Sequence, residues 1–92
     1  MDRIVHVGLI GFGLAGRVFH APIISSVPGL KLRKIFERKD ENVAIIKEKY
    51  PQTIIVDNVE SVFTDENIDL VVIASPNHLH YQLAKRALEC GK

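Results

Sequence analysis

Residues 4–16 read IVHVGLIGFGLAG, and this stretch decides the fold. Residues 4–10 form a short, nearly continuous apolar run rich in Val and Ile, which is typical of a strand buried on both faces of a parallel sheet. The run ends at glycines with the spacing G-x-G-x-x-G, at Gly11, Gly13 and Gly16. The spacing alone is a weak signal, but a strand before it and a helix after it are the context of a dinucleotide-binding turn. We therefore predict that this turn binds a pyrophosphate.

Each residue type in the turn suits that chemistry. A first glycine permits the tight turn, a second lets the backbone approach the anion, and a third lets the helix pack closely on the strand. The N–H groups near Leu14 and Ala15 would face the pyrophosphate at the positive end of the helix. The alternative is a glycine-rich turn that binds nothing. The candidate residues are Gly11, Phe12, Gly13, Leu14, Ala15 and Gly16.

The rest of the chain alternates strand-like and helix-like segments. Strands are predicted at residues 4–10, 30–36, 53–56 and 69–74, and helices after residue 13, at 41–50, at 58–63, and from a cap at Ser75 or Asn77 up to Gly91. Such alternation implies a parallel sheet with right-handed crossovers, and a central first strand implies the strand order 3-2-1-4. We predict an α/β fold, a partial Rossmann-type doubly wound sheet between two helix layers, as one domain over residues 1–92.

Several local details accompany this prediction. Pro22 removes a backbone donor, so the first helix should kink near Phe19 or stop before a turn at residues 25–29. Asp40 is the candidate N-cap of the second helix. The fourth strand lies at an edge that invites another strand, which we expect just after Lys92. The last helix should bury a stripe of apolar side chains, Leu79, Leu83, Ala87 and Leu88.

Glu37 ends the second predicted strand, 21 residues after Gly16, where an acid can accept hydrogen bonds from the ribose hydroxyls of adenosine. A 2′-phosphate beside this carboxylate would meet a repulsion of about 1–4 kcal/mol, depending on the dielectric. The cofactor is therefore expected to be NAD or NADP, with NAD favoured. NADP stays open because the neighbouring Arg38 and Lys39 could hold a phosphate.

A polar segment closes the fourth predicted strand on the same rim as the glycine turn, where open α/β sheets bind ligands. Its candidate residues, Ser75, Pro76, Asn77 and His80, could reach the ribose on the nicotinamide side. Simple helix capping explains Ser75, Pro76 and Asn77 equally well, and the two roles are compatible. His80 could equally pack on or cap the last helix.

Composition excludes several other classes of protein. Twelve basic and eleven acidic residues are mixed along the chain, without the basic stripe that nucleic-acid binding requires. Cys90 is the only cysteine, so neither an internal disulfide nor a multi-cysteine metal site is expected, and the four histidines lack metal-ligand spacing. Arg17 and Val18 follow Gly16 where a P-loop needs Lys and a hydroxyl residue. No targeting segment or membrane span is recognised, which favours the cytoplasm.

Three segments together resemble the glucose-fructose oxidoreductase and inositol dehydrogenase family, Gfo/Idh/MocA. They are residues 7–13 (VGLIGFG), 19–22 (FHAP) and 69–80 (DLVVIASPNHLH). The glycine turn is common to many proteins, but its combination with the Ser-Pro-Asn-x-x-His rim is much more specific. The likeness covers essentially the whole chain.

The resemblance implies a cofactor domain that precedes a second α/β domain for substrate and oligomer contacts. In that family, hydride passes between nicotinamide and a carbon of a sugar, polyol or related substrate, and a lysine in a Glu-Lys-Pro motif assists proton transfer. That motif is not in this sequence, and Lys92 resembles a lysine that lies before it. We therefore assign no catalytic and no metal-binding residue, and expect the 92-residue chain to bind cofactor without turnover.

Two other functions are compatible with parts of the pattern. A non-enzymatic module could bind NAD(H) and signal through a partner at the edge of the fourth strand. A methyltransferase could use a similar glycine turn, but the first strand lacks the acid that such sites usually carry. The feature that would discriminate the sensor from the enzyme is what the gene encodes after Lys92, because an apolar strand ending in Glu-Lys-Pro would support the enzyme, whereas a stop or a signalling domain would support the sensor.

Overall fold

The computed structural model describes residues 3–11, 13, 20–74 and 77–92 of the chain. Four strands alternate with four helices along these residues. In chain order they are β1 (Val5–Ile10), α1 (Ala21–Ser26), β2 (Leu30–Phe36), α2 (Asp40–Lys49), β3 (Ile54–Val56), α3 (Glu60–Phe63), β4 (Leu70–Ile73) and α4 (Asn77–Glu89).

The sheet is parallel throughout, with the strand order β3-β2-β1-β4. β1 pairs with β2 on one side and β4 on the other, so it is the central strand. Its last four residues are buried, as the apolar run predicts for a strand covered on both faces. The predicted strand order and the Rossmann-type α/β class are confirmed.

Two apolar cores lie on opposite faces of the sheet. Alternate side chains of β1 divide between them, Val7 and Leu9 to one face and Ile10 to the other. α1 and α2 cover the first face, where Ile24 and Ile46 are buried. α3 and α4 cover the second, where the buried residues are Val62, Phe63, Ile68 and Ala87. The three-layer arrangement follows from this division.

Gly8 in β1 is required by packing. A Cβ built on it would lie 2.5 Å from Cγ1 of Val62, closer than real side chains approach. Since Val62 belongs to α3, the missing side chain of Gly8 lets this short helix pack directly on the central strand.

Asp65, in the turn before β4, ties that turn to β2. Its side chain is only 7% exposed and accepts hydrogen bonds from Arg33 Nε at 2.8 Å and from the Asn67 N–H at 2.8 Å, while Lys34 Nζ lies 3.0 Å away. Burial alone would raise the pKa of Asp65, but these bonds outweigh it and hold the pKa well below its usual range. A register shift of β2 opposite the Val7–Gly8 step places two consecutive cations beside one carboxylate.

Some predicted boundaries were wrong. α1 continues through Ser25 and Ser26, so the turn begins at Val27 instead. Pro22 is tolerated because it lies in the first turn of α1, where a backbone donor is not needed. Asp40 is the first residue of α2 rather than its cap, which is Lys39.

The predicted stripe on α4 was also partly wrong. Leu83 and Ala87, four residues apart, do pack on the second core together with Cys90. Leu88, however, is 72% exposed, because the residue after Ala87 is rotated by about 100° around the helix. Leu79 belongs to α4, but its side chain lies outside the described part of the structure.

Candidate functional site

The carboxyl ends of the four parallel strands meet along one edge of the sheet. Hydrogen bonds continue one residue beyond the strands: Gly11 N–H donates to the Phe36 carbonyl at 3.0 Å, and Glu37 N–H to the Val56 carbonyl at 3.1 Å. On the other side, Ala74 N–H donates to the Ile10 carbonyl at 2.9 Å. Gly11 therefore leaves the sheet between the ends of β2 and β4, where the strand order reverses and open α/β sheets bind ligands.

The backbone conformation requires glycine at position 11 but not at position 13. Gly11 has a φ of 97°, a conformation that side chains rarely adopt, so the turn itself requires glycine there. Gly13 is exposed, does not have a positive φ, and a Cβ built on it would meet nothing within 4 Å among the described residues. Packing within the described chain therefore gives no reason for glycine at 13, whereas a bound anion would. Phe12, Leu14, Ala15 and Gly16 lie outside the described residues.

Glu37 lies one residue beyond β2 and is half-buried. Its Oε2 accepts hydrogen bonds from the backbone N–H groups of Arg38, at 3.0 Å, and Lys39, at 3.1 Å. The carboxylate is thus held against the loop that leads into α2. This position, beside the end of the central strand, is compatible with the predicted ribose contact.

An open cleft of about 640 Å³ lies next to Glu37. Val43 of α2 and Ile55 and Val56 of β3 provide apolar surface, and the remaining lining residues are charged, namely Glu37, Arg38, Asp40 and Asp57. Among the described residues, the lining of this cleft therefore includes three acidic residues and one arginine. A neutral group fits this mostly acidic lining better than a negatively charged phosphate group does.

Asp57 was not identified from the sequence. It follows β3 as Glu37 follows β2, and Phe36 pairs with Val56 in the sheet, which brings the two acids side by side. The signal was available, since the ends of adjacent parallel strands share an edge. A polar residue directly after each of two paired strands, here Glu37 and Asp57, would have identified the pair from the sequence.

The second predicted part of the site is described only in part. Asn77 is the first residue of α4, and Ser75 and Pro76 lie outside the described residues. His80 lies in the first turns of α4 and is half-buried. The start of α4 at Asn77 follows β4, whose carboxyl end lies beside that of β1 and so close to Gly11.

A larger hollow of about 850 Å³ lies at the opposite end of β4. Three of its charged groups are engaged in contacts within the chain: Arg3 pairs with Asp69 at 2.9 Å, and Lys92 Nζ donates to the carbonyls of Asp65 and Ile68 at 2.7 Å. It lies at the amino end of the sheet, away from the edge where such folds bind ligands. We therefore place the candidate site in the smaller cleft and the glycine turn.

The described residues contain neither a candidate metal site nor a candidate membrane-spanning helix. No three His, Cys, Asp or Glu side chains among them are grouped so that they could hold a metal ion. None of the helices in the described part has the length and apolar character needed to cross a bilayer.

Comparison with known proteins gives a family match over nearly the whole chain. Residues 5–92 match the model of GFO_IDH_MocA, described as an oxidoreductase family with an NAD-binding Rossmann fold. Among curated proteins, the chain is 44% identical over 92 residues to the uncharacterized oxidoreductase YdgJ of Escherichia coli K12. It is 32% identical over 88 residues to IolW of Bacillus subtilis 168, a scyllo-inositol 2-dehydrogenase (NADP(+)).

Similarity to solved structures leads to the same family of proteins. A provisionally assigned oxidoreductase of Bacteroides fragilis NCTC 9343 superposes with a TM-score of 0.91 at 46% identity, over 98% of this chain and 27% of its own. The two curated relatives are matched over 100% and 96% of this chain but only 26% and 24% of their own lengths. The chain therefore spans about a quarter of the proteins it resembles.

Proposed function

Since this chain belongs to the Gfo/Idh/MocA oxidoreductases and forms their NAD-binding Rossmann domain, we propose that it binds the cofactor along the carboxyl edge of its sheet. The supporting observation is the turn at Gly11, which has a φ of 97° and leaves the central strand between β2 and β4. The proposed pyrophosphate residues are Gly11, Phe12, Gly13, Leu14, Ala15 and Gly16. Glu37 would bind the adenosine ribose, and Ser75, Pro76, Asn77 and His80 would line the nicotinamide side.

The acidic cleft favours NAD over NADP in this proposal. Among the described residues that line the cleft, a 2′-phosphate placed near Glu37 would meet three acidic residues and one arginine, Arg38. Repulsion from one carboxylate at contact distance is worth about 1–4 kcal/mol at the effective dielectric of a protein surface. Arg38 opposes this effect, and the relative IolW is an NADP(+) enzyme by name. A direct comparison of the two cofactors is therefore the test.

The whole protein's activity is proposed from the relatives. We expect a dehydrogenase that passes hydride between nicotinamide and a sugar, polyol or related substrate, as the name of IolW suggests. Residues 1–92 would be its cofactor domain, with substrate and oligomer contacts elsewhere. The bound nicotinamide would supply the hydride chemistry, while this chain's own residues bind and orient the cofactor.

Calorimetric titration of the chain with NADH and NADPH, at one fixed ionic strength, tests cofactor binding. The variant Gly13→Ala makes the test specific, because the described residues leave room for the added methyl group, whereas a pyrophosphate against the turn would not. We expect the substitution to weaken cofactor binding by about tenfold or more, equivalent to about 1.4 kcal/mol. The thermal midpoint should stay unchanged. Equal affinity in both chains would show that the pyrophosphate does not lie against Gly13.

A further inference from the structure

The hydrogen bonds around Glu37 carry an inference that rests on the proposed cofactor binding and extends it. We propose that the backbone N–H groups of Arg38 and Lys39 position the Glu37 carboxylate for the ribose diol, and so help to set the preference for NAD. Both N–H groups donate to the same oxygen, Oε2, at 3.0 and 3.1 Å. Neither side chain is needed for these bonds, because the donors belong to the backbone.

The two donors are themselves held by the fold. Lys39 is the N-cap of α2, and its carbonyl accepts hydrogen bonds from the N–H groups of Asn42 at 3.0 Å and Val43 at 2.9 Å. On the other side, the Glu37 N–H donates to the Val56 carbonyl of β3. The carboxylate is therefore connected to a helix and to the sheet at once, and the loop between them is short.

Such anchoring lowers the loss of side-chain conformational entropy when the cofactor binds. A half-exposed glutamate loses side-chain rotamer freedom when it is fixed by a ligand, and this loss weakens binding. If the loop has already fixed the side chain, most of that loss is taken on folding, and a preorganised contact binds more tightly. A carboxylate offers about four acceptor positions. Both loop bonds go to the single oxygen Oε2, so binding of ribose hydroxyls to the same carboxylate does not require these two bonds to break.

The same geometry favours the unphosphorylated ribose. The carboxylate cannot rotate away from a 2′-phosphate without losing both loop bonds, and Asp57 lies in the same cleft. NADP binding would therefore face either a fixed negative charge or two unpaired N–H groups. NAD binding would face neither.

Substituting Lys39→Pro tests the inference. Proline removes one of the two donors, and the φ of −78° at Lys39 is one that proline accepts. Lys39→Ala is the matched control, since it removes the same side chain and keeps the N–H. We expect Lys39→Pro to bind NADH about threefold to tenfold more weakly than Lys39→Ala, a range that corresponds to the net contribution of one ordinary hydrogen bond. NADPH affinity should change less, so that the NADH-to-NADPH preference falls.

A second pair of variants separates positioning from damage to the loop. In a Glu37→Ala background, Lys39→Pro and Lys39→Ala should bind NADH equally, within about twofold, because there is no carboxylate left to position. The same proline effect in both backgrounds, or no effect in either, would overturn the inference. Failure of the unsubstituted chain to bind either cofactor would instead overturn the proposed function, and the inference with it.

Hydrogen exchange gives a readout that does not depend on the folding of the proline variant. The Arg38 and Lys39 amides should exchange more slowly in the unsubstituted chain than in Glu37→Ala. Addition of saturating NADH should leave both amides protected. If NADH instead exposes them, the carboxylate must leave the loop to reach the ribose, and the positioning role is wrong.

Discussion

Glu37 and Asp57 illustrate how single residues acquire a role from strand pairing. Each follows the end of a strand, and the pairing of Phe36 with Val56 brings them to the same cleft. Arg38 is the one basic residue among the described residues that line the cleft. At this scale, we expect the cofactor preference to depend on a few charges, each of which can be changed separately.

Asp57→Asn should shift that balance towards NADPH. Removing one negative charge from the cleft is expected to raise NADPH affinity by about twofold to tenfold, through reduced repulsion at the effective dielectric of a surface cleft. NADH affinity should hardly change. Glu48→Gln, which removes the same charge from an exposed position near the far end of α2, is the control. Titration at two ionic strengths checks the cause, because added salt should shrink the difference. An unchanged ratio would remove Asp57 from the site.

Gly8 and Gly13 should respond in opposite ways to the same substitution. Gly8→Ala places a Cβ against Val62 and is expected to destabilise the fold by about 1–3 kcal/mol. Gly13→Ala meets no described neighbour and should cost cofactor affinity instead. Urea unfolding measures the first effect and calorimetry the second. A stable Gly8→Ala chain would mean that α3 moves away from β1 at little cost.

At the scale of elements, charged contacts secure the turn between α3 and β4. Asp65 receives Arg33 and Lys34 from β2, and its own carbonyl accepts a hydrogen bond from Lys92, just beyond α4. β2, β4 and α4 are therefore joined at the amino end of the sheet. This leaves the carboxyl end, with its loops, available for the cofactor.

Asp65 should make stability depend on pH in the acid range. Its pKa in the folded chain lies below the ordinary value of 3.8, so its contribution is complete above about pH 4 and is lost as pH falls towards the folded-state pKa. Asp65→Asn should lower the free energy of unfolding by about 1–3 kcal/mol at pH 7, because it leaves two partly buried cations less well paired. Urea midpoints at pH 7 and pH 3 should differ less in the variant. If the difference in urea midpoint between the two chains were the same at pH 7 and pH 3, the lowered pKa of Asp65 would be contradicted.

The start of α3 offers a simpler test of local structure. The side-chain oxygen of Asn58 accepts hydrogen bonds from the Ser61 N–H at 2.9 Å and the Ser61 hydroxyl at 3.0 Å, in the manner of an N-cap. Asn58→Ala should therefore cost about 1 kcal/mol of stability, typical of a lost cap. Asn58→Asp should retain most of it. Denaturant unfolding of both variants makes the comparison, and equal losses would show that the cap contributes little.

For the whole molecule, a two-sided core around β1 is what makes a chain of this size a folded domain. It covers about a quarter of the length of its curated relatives. The Glu-Lys-Pro motif that the family resemblance associates with proton transfer does not occur within residues 1–92. Binding and turnover are therefore expected to separate in this chain.

NADH should stabilise the chain but not be oxidised by it. At ten times Kd, a cofactor that binds only the folded state adds about 1.4 kcal/mol, which raises Tm by about 6–11 °C in a domain of this size. Nicotinamide absorbance should stay constant during incubation with inositols, other polyols and their ketones. A Tm increase without turnover is the expected result. Turnover above background would show that the chain carries a complete active site.

The strand order, the three-layer class and the glycine turn after β1 could be predicted from the sequence alone, because they depend on local pattern and on the way in which strands that alternate with helices connect. Apolar runs show which strands are buried on both faces, and glycine spacing after a strand identifies the turn at Gly11. The position of Glu37 follows from its distance along the chain. Family membership, inferred from short motifs, was confirmed by the comparisons.

Only the tertiary structure decided which side chains meet. Periodicity places Leu88 near an apolar face of α4, but only packing shows that it is exposed while Leu83 is covered. Asp57 joins Glu37 because β2 and β3 pair in a particular register, and the two positions are 20 residues apart in the chain. The bonds that hold the Glu37 carboxylate depend on the path of one loop. Local pattern sets which face a residue occupies, whereas its partners are set by contacts between distant segments.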